Sequence, residues 1–554
     1  MLKSIRPWAI LVAAALAVSP AMMFAAPNDK SDDKPADKSA EKPAEKPAEK
    51  PSLEVTTQGT LDAGGQHILY NAVAGTITVG ATTGQDSQLG PDGKPQPDTD
   101  LAAQVAAAKD ASQAPPLARM FYVAYFKRDA NADQRPITFI YNGGPGSSTV
   151  WLHMGSFGPK HVVTEMDTHL PGAPYKLADN AYSLLDVSDL VFIDMPGTGF
   201  GRLTGKDAGK AFWGIDEDGH AYGRFIKRFL SKYNRWNSPK YIFGESYGTT
   251  RSAVLSNILE NEETIDLNGV ILLSQIFNFT TDIDGAHQNP GIDLTYELAL
   301  PTYAATARYH HKLPQEHPDL QAFLKEVEDF AMGPYTQALA KGTDLSQTDK
   351  QAIAQKLHDY TGLPVDYLMK GDLRIAGGQF EKTLQDDTGD TTGRLDTRFT
   401  GPSINPLSET ADYDPQSSAI SSAYVALFNQ YVRQTLKYGE GQTYLPEADF
   451  GGGFQWDFKR QDFPLMNVSN DLATAMKTNP KLKVLVNGGY YDLATPFYAA
   501  MYEDKHLPIS DKLAGNIQYA WYESGHMVYV KDECLKQLHD NVAEFIKSTE
   551  AGNQ

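Results

Sequence analysis

Cysteine is nearly missing from this chain: Cys534 stands alone among 554 residues. A single thiol excludes any disulfide within one chain. Its neighbours Asp532 and Glu533 do not favour a thiolate, so Cys534 reads as a helix residue and not as a nucleophile. Positive charge is scarce as well, with 49 Lys and Arg against 69 Asp and Glu and a formal net charge of −20. That balance argues against nucleic acid and anionic membrane as partners. Long apolar runs are also lacking. The run Trp8 to Val18 is eleven residues long, short of the roughly 18 to 20 that a membrane-spanning helix needs.

That run has the layout of a secretory signal over residues 1–25, with Lys3 and Arg6 before it and Ala25-Ala26 after it. No stable membrane span is expected once it is cleaved. Export without disulfides fits a periplasmic or secreted bacterial protein better than a disulfide-dense secretory setting. Residues 26–52 are mostly Lys, Glu, Asp, Pro and Ala, with Glu-Lys-Pro-Ala repeating from Glu41. So little apolar surface cannot offset the entropy of ordering, and the segment reads as a disordered, extended linker.

What is present is a core-forming chain, 41% hydrophobic and 10% aromatic. Short apolar runs at 137–141, 189–194, 241–243, 269–273, 483–487 and 517–521 alternate with helical patterns. Such runs are the mark of strands buried on both faces of a largely parallel sheet. His67–Tyr70, Ala74–Val79 and Met120–Phe126 also read as strand, and Ala221–Tyr233 as an amphipathic helix. The rhythm breaks over 276–440, where Leu320, Phe323, Leu324, Val327 and Phe330 form one helical stripe and Ile353, Leu357 and Tyr360 another. The expected architecture is α/β: a mostly parallel central sheet covered by helices. Its first part is 53–275 and its second 441–554, with a helical cap insertion over 276–440.

One turn carries chemistry. Gly244-Glu-Ser-Tyr-Gly248 follows the apolar run Tyr241–Phe243 and opens a helical pattern from Thr249 to Leu259. Strand, sharp turn and helix with Ser246 at the apex is the nucleophile elbow of α/β-hydrolases. A serine hydroxyl needs a base, and the base needs a carboxylate to orient it. In chain order Ser, Asp, His, the places after the last two strands hold Asp492 and His526. A glycine-rich turn after an early strand, Asn142-Gly-Gly-Pro-Gly-Ser-Ser148, is placed to donate amides to an oxyanion. No Gly-Lys-Ser/Thr follows it, which weakens a phosphate-binding reading.

Five blocks in order carry a resemblance: Asn142–Ser148, Gly158-Pro159, Asp194-x-Pro196-Gly-x-Gly199-Phe, Gly244–Gly248 and Gly525-His-Met527. Together the chain resembles the serine carboxypeptidase family, with the α/β-hydrolase fold and a helical insertion. The resemblance implies Ser246, Asp492 and His526 as catalytic triad and the backbone amides of Gly144 and Tyr247 as oxyanion hole. It implies Asn142 and Glu245 as holders of the substrate's C-terminal carboxylate. It calls for no cofactor or metal, and its substrates would be peptides with a free C-terminus. Beside a substrate carboxylate, Glu245 must share a proton, so activity is expected to favour acidic pH. Three positions depart from the family: Ser147 replaces a Cys, Ser156 a second Glu, and Ile140 a Trp. The alternatives are an esterase or acyltransferase on the same scaffold, and a catalytically silent envelope-binding protein.

Overall fold

The computed structural model describes residues 54–164, 167–451, 453–460 and 466–551. The expected signal and linker lie outside the described residues. Nine strands form the path of the main sheet: β1 (Glu54–Ala63), β2 (Gln66–Gly80), β3 (Leu117–Lys127), β4 (Ile137–Tyr141), β5 (Asp189–Ile193), β6 (Lys240–Glu245), β7 (Gly269–Leu273), β8 (Lys483–Gly489) and β9 (Ile517–Tyr522). Their spatial order is β1-β2-β3-β5-β4-β6-β7-β8-β9, and the short strand Arg202–Thr204 pairs with β3. The first three strands run antiparallel, as does the β3–β5 pair. From β5 through β9 every neighbour is parallel.

The parallel strands are apolar throughout because each face meets a separate core. Tyr241, Phe243, Ile271, Leu273 and Leu485 point into one cluster. Their neighbours Ile242, Val270, Leu272, Val484 and Val486 point into the other. A strand's period of two, with both faces covered, demands this pattern. The helices α1 (Ile215–Tyr233), α2 (Tyr247–Asn261) and, later in the chain, α7 (Ser469–Thr478) cover the second face. They contribute Tyr222, Phe225, Leu255, Ile258 and Leu472 to its core.

The insertion between β7 and β8 begins with α3 (Leu294–Tyr309), α4 (Leu320–Phe330) and α5 (Gln347–Thr361). These bury a core of their own, with Leu300, Phe323, Val327, Leu357 and Tyr360 in contact. The ends of α5 are set locally. Ser346 Oγ accepts from the Asp349 amide at 3.1 Å, and Gly362 closes the helix in the left-handed region at φ 69. The later helix α6 (Pro415–Gln434) differs: its Ile420, Tyr424, Leu427 and Tyr431 join the core of the first sheet face. After β8 come α8 (Phe497–Lys505) and, after β9, the terminal α9 (Asp532–Ala551). Leu538, Val542 and Phe545 of α9 also pack on the first face. No helix among the described residues is long and apolar enough to cross a membrane.

The amino-terminal hairpin was only half legible. The pattern suggests two β runs within 67–79, whereas β2 is continuous from Gln66 to Gly80 and pairs with β1 from Gln66 to Gly75. β1 carries Thr, Gln and Gly on an edge and is only half-buried, so it offers no apolar alternation to read.

Candidate active site

The chain leaves β6 and enters α2 within one residue, Ser246. Its φ of 60 and ψ of −130 lie outside the helical and extended regions. A non-glycine residue holds that conformation only where its surroundings impose it. Here the Ser246 amide donates to the Leu273 carbonyl of β7 at 3.0 Å. Gly244 is required because a Cβ there would lie 2.2 Å from the Gly248 carbonyl oxygen. From Tyr241 to Ser256 every residue is buried except Ser246. The strain therefore presents one hydroxyl to solvent.

The glycine-rich turn after β4 lies against the same point. A Cβ on Gly143 would come within 2.5 Å of the Tyr247 amide nitrogen and 2.7 Å of the Glu245 carbonyl oxygen. Only backbone without a side chain can approach the elbow so closely. Gly144, at φ 106, is exposed and Pro145 half-buried, while the rest of 141–150 is buried. Arg251, one helical turn beyond Ser246, fixes the turn from below by donating to the Asn142 carbonyl oxygen at 2.7 Å.

Asp492 and His526 are brought together from the ends of β8 and β9. His526 Nδ1 donates to Asp492 Oδ2 at 2.8 Å, which leaves Nε2 as the acceptor in the neutral ring. Asp492 also accepts from the Thr495 amide at 2.9 Å and the Thr495 hydroxyl at 2.7 Å. The His526 backbone is held at both ends: its amide donates to the Leu395 carbonyl, and its carbonyl accepts from Ser274 Oγ at 2.7 Å. Ser274 directly follows β7, the strand that holds the Ser246 amide, so the two loops share one support. Burial pulls the imidazole pKa down. The charge and hydrogen bond of Asp492, with the charge of Glu245, outweigh it and leave His526 above its ordinary value.

Glu245 and Asn142 meet directly, with the Asn142 amide donating to Glu245 Oε1 at 2.8 Å and Asn142 Oδ1 accepting from the Leu152 amide at 2.9 Å. Both side chains are buried. Burial pushes the Glu245 carboxyl up to about 7, against the opposing pull of His526 and of its hydrogen bonds. Of the three departures, Ser156 turns away and donates to the Leu152 carbonyl at 2.6 Å. Ile140 is buried in the sheet core. Ser147 donates to Glu447 Oε1 at 3.0 Å and accepts from the Trp151 indole at 2.8 Å.

Several members of this assembly carry no local signal. Arg251 looks like an ordinary helix residue, and Glu447 and Tyr424 lie far along the chain. Thr495 alone had a hint, standing three residues after Asp492 where a hydroxyl and amide can close an Asx-type turn. The aromatics Tyr490, Tyr491 and Phe497 pack inside the joint between insertion and sheet, with Tyr490 and Phe497 edge to face at 5.0 Å.

A strained serine elbow at the carboxyl end of a parallel sheet, with Asp and His after the last two strands, defines an α/β-hydrolase. Residues 112–514 match the family model described as serine carboxypeptidase, and the chain belongs to that family. Curated relatives match over shorter stretches. The pheromone-processing carboxypeptidase KEX1 of Yarrowia lipolytica is 28% identical over 142 residues, covering 25% of this chain and 21% of that protein. The serine carboxypeptidase-like 36 of Arabidopsis thaliana is 26% identical over 166 residues, covering 28% and 32%. These matches span a fifth to a third of the relatives' own length. Among solved structures, the prohormone-processing carboxypeptidase Kex1(delta)p of Saccharomyces cerevisiae superposes with a TM-score of 0.49 at 15% identity, covering 86% of this chain and 91% of that one.

Proposed function

We propose that this protein is a serine-type carboxypeptidase that releases C-terminal residues from peptides through an acyl-enzyme. Ser246 attacks the last peptide carbonyl while His526 Nε2 takes its proton. Asp492 holds the imidazole tautomer and stabilises the imidazolium. The amides of Gly144 and Tyr247 receive the oxyanion. His526 then gives its proton to the leaving amine, and water hydrolyses the ester. The observation that carries this reading is the Asn142–Glu245 pair, bonded at 2.8 Å and one residue from the elbow. A carboxyl held near 7 is still protonated in mild acid, when it donates to a substrate carboxylate instead of repelling it. Activity on free-acid peptides is therefore favoured on the acid side.

The test compares a blocked dipeptide with its C-terminal amide, in the wild type and in Ser246→Ala. A carboxypeptidase prefers the free acid strongly, and the variant loses nearly all turnover of both. Equal rates on acid and amide would instead favour the esterase or acyltransferase reading, for which Ser156 speaks because its side chain supplies no second acid to the site. Labelling of Ser246 by a fluorophosphonate separates either enzyme from a silent binding protein. Residues 1–25 are proposed as an export signal and 26–52 as a tether, which places the activity in the periplasm or outside the cell.

A further inference from the structure

Two tyrosines converge on the Glu245 carboxyl from distant parts of the chain. Tyr424 comes from α6, and Tyr529 from the turn three residues beyond His526. They meet over Gly155, where a Cβ would strike the Tyr529 ring at 2.5 Å and the Tyr424 hydroxyl at 2.7 Å. Gly155 directly precedes Ser156, the position that lacks the family's second acid. The space beside the missing acid is thus filled by two phenols.

Their hydrogen-bond state is unusual. The Tyr424 hydroxyl, the Tyr529 hydroxyl and Glu245 Oε2 are all buried, and none has a partner in regular hydrogen-bond geometry. The side chains are 0%, 2% and 3% exposed. The Tyr529 hydroxyl nonetheless lies against both Glu245 and Asn142, and Tyr424 is within electrostatic reach of Glu245. Buried polar atoms are rarely left without well-formed bonds in folded proteins, and the free Tyr424 hydroxyl beside the loosely met Tyr529 and Glu245 points to a ligand that completes them. That ligand must bring acceptors for two hydroxyl donors and for the Asn142–Glu245 pair. A carboxylate, with two oxygens and about four acceptor sites, has this chemistry.

We propose that Tyr424 and Tyr529 are specificity-determining donors to the substrate's C-terminal carboxylate, replacing the acid absent at Ser156. The proposal rests on the carboxypeptidase reading. Ser246 and Gly144 face solvent, so the peptide enters from their side and its terminal carboxylate runs inward to the tyrosines. Unlike a second Glu, a phenol donates without titrating over the working pH range. Substitution leaves Glu245 as the sole titrating member of the clamp.

The test uses the full chain as wild type, Tyr424→Phe, Tyr529→Phe and the double variant, each assayed on a free-acid dipeptide and its amide. Each lost hydroxyl is expected to raise KM for the free acid about tenfold, the usual worth of a hydrogen bond to a charged group. The amide should change less than twofold. Because the Tyr424 hydroxyl has no protein partner, the Tm of Tyr424→Phe should hold or rise, which a structural role would not allow. The acid-to-amide ratio is taken within each variant, so partial misfolding does not alter it. A wild-type ratio preserved in the double variant overturns this inference alone. No free-acid preference in the wild type overturns it together with the carboxypeptidase reading.

Discussion

Arg251 donates through Nε to Asp218 Oδ2 at 2.6 Å while its Nη1 holds the Asn142 carbonyl oxygen at 2.7 Å. Both side chains of this ion pair are fully shielded from solvent. The guanidinium lies 4.4 Å from the Tyr222 ring centre and 5.3 Å from those of Tyr141 and Tyr247. One cation therefore ties α1, α2 and the glycine-rich turn together beneath Ser246.

Removing one partner of such a pair leaves an uncompensated buried charge. Asp218→Ala is expected to lower stability by about 3–5 kcal/mol, read from urea unfolding. Activity of the folded fraction should fall too, because the Asn142 turn loses its anchor. A variant as stable as the wild type would remove the pair from this role.

Gly143 tests the turn itself. Gly143→Ala sets a methyl 2.5 Å from the Tyr247 amide nitrogen, so the turn must retreat from the elbow. With one proposed oxyanion donor misplaced, kcat should drop about 100-fold or more while KM changes little. A kcat within fivefold of the wild type would exclude the turn from the oxyanion hole.

The pH profile follows from two coupled groups. As the proposed base, His526 must be neutral, so activity should rise through its raised pKa. In its proposed role Glu245 must be protonated to bind a carboxylate, so free-acid turnover should fall as pH passes about 7. The profile of kcat/KM should be bell-shaped for a free-acid peptide, with limbs that belong to the pair and not to either residue. For the amide the alkaline limb near 7 should vanish. Identical profiles for the two substrates would contradict a role for Glu245 in carboxylate binding.

Stability carries its own pH signature. Burial raises Glu503 to about 8, and Asp504 and Asp194 to about 7. A carboxyl whose folded pKa exceeds its unfolded value favours the fold while protonated in both states, and that advantage is lost as pH climbs to the folded value. Tm should therefore be higher near pH 5 than at pH 8 by several degrees, the equivalent of a few kcal/mol. Glu503→Gln should flatten part of this slope in a thermal scan at matched ionic strength. Its oxygens accept from the Phe277 and Asn278 amides at 3.1 and 2.9 Å, so the variant also loosens the loop after β7.

Much of this molecule is written locally. Apolar runs such as Val270–Leu273 must be covered on both faces, so they declare parallel strands before any contact is known. Ser346 and Gly362 announce the ends of α5 because capping needs only nearby atoms. Gly244-Glu-Ser-Tyr-Gly declares the elbow for the same reason, and chain order alone points to Asp492 and His526. The edge strand β1 escaped because a half-exposed strand has no burial to encode.

The sequence by itself determined the parallel strands, the elbow and the Glu beside the serine, since each rests on spacing within a few residues, and chain order pointed to the proposed triad. Tertiary structure alone decided what surrounds them. It set Arg251 under the turn, turned Ser156 into its own helix and brought Tyr424 and Tyr529 to Glu245. The contacts of Arg251, Tyr424 and Tyr529 join residues a hundred or more positions apart, and no periodicity or short motif records a meeting made by packing.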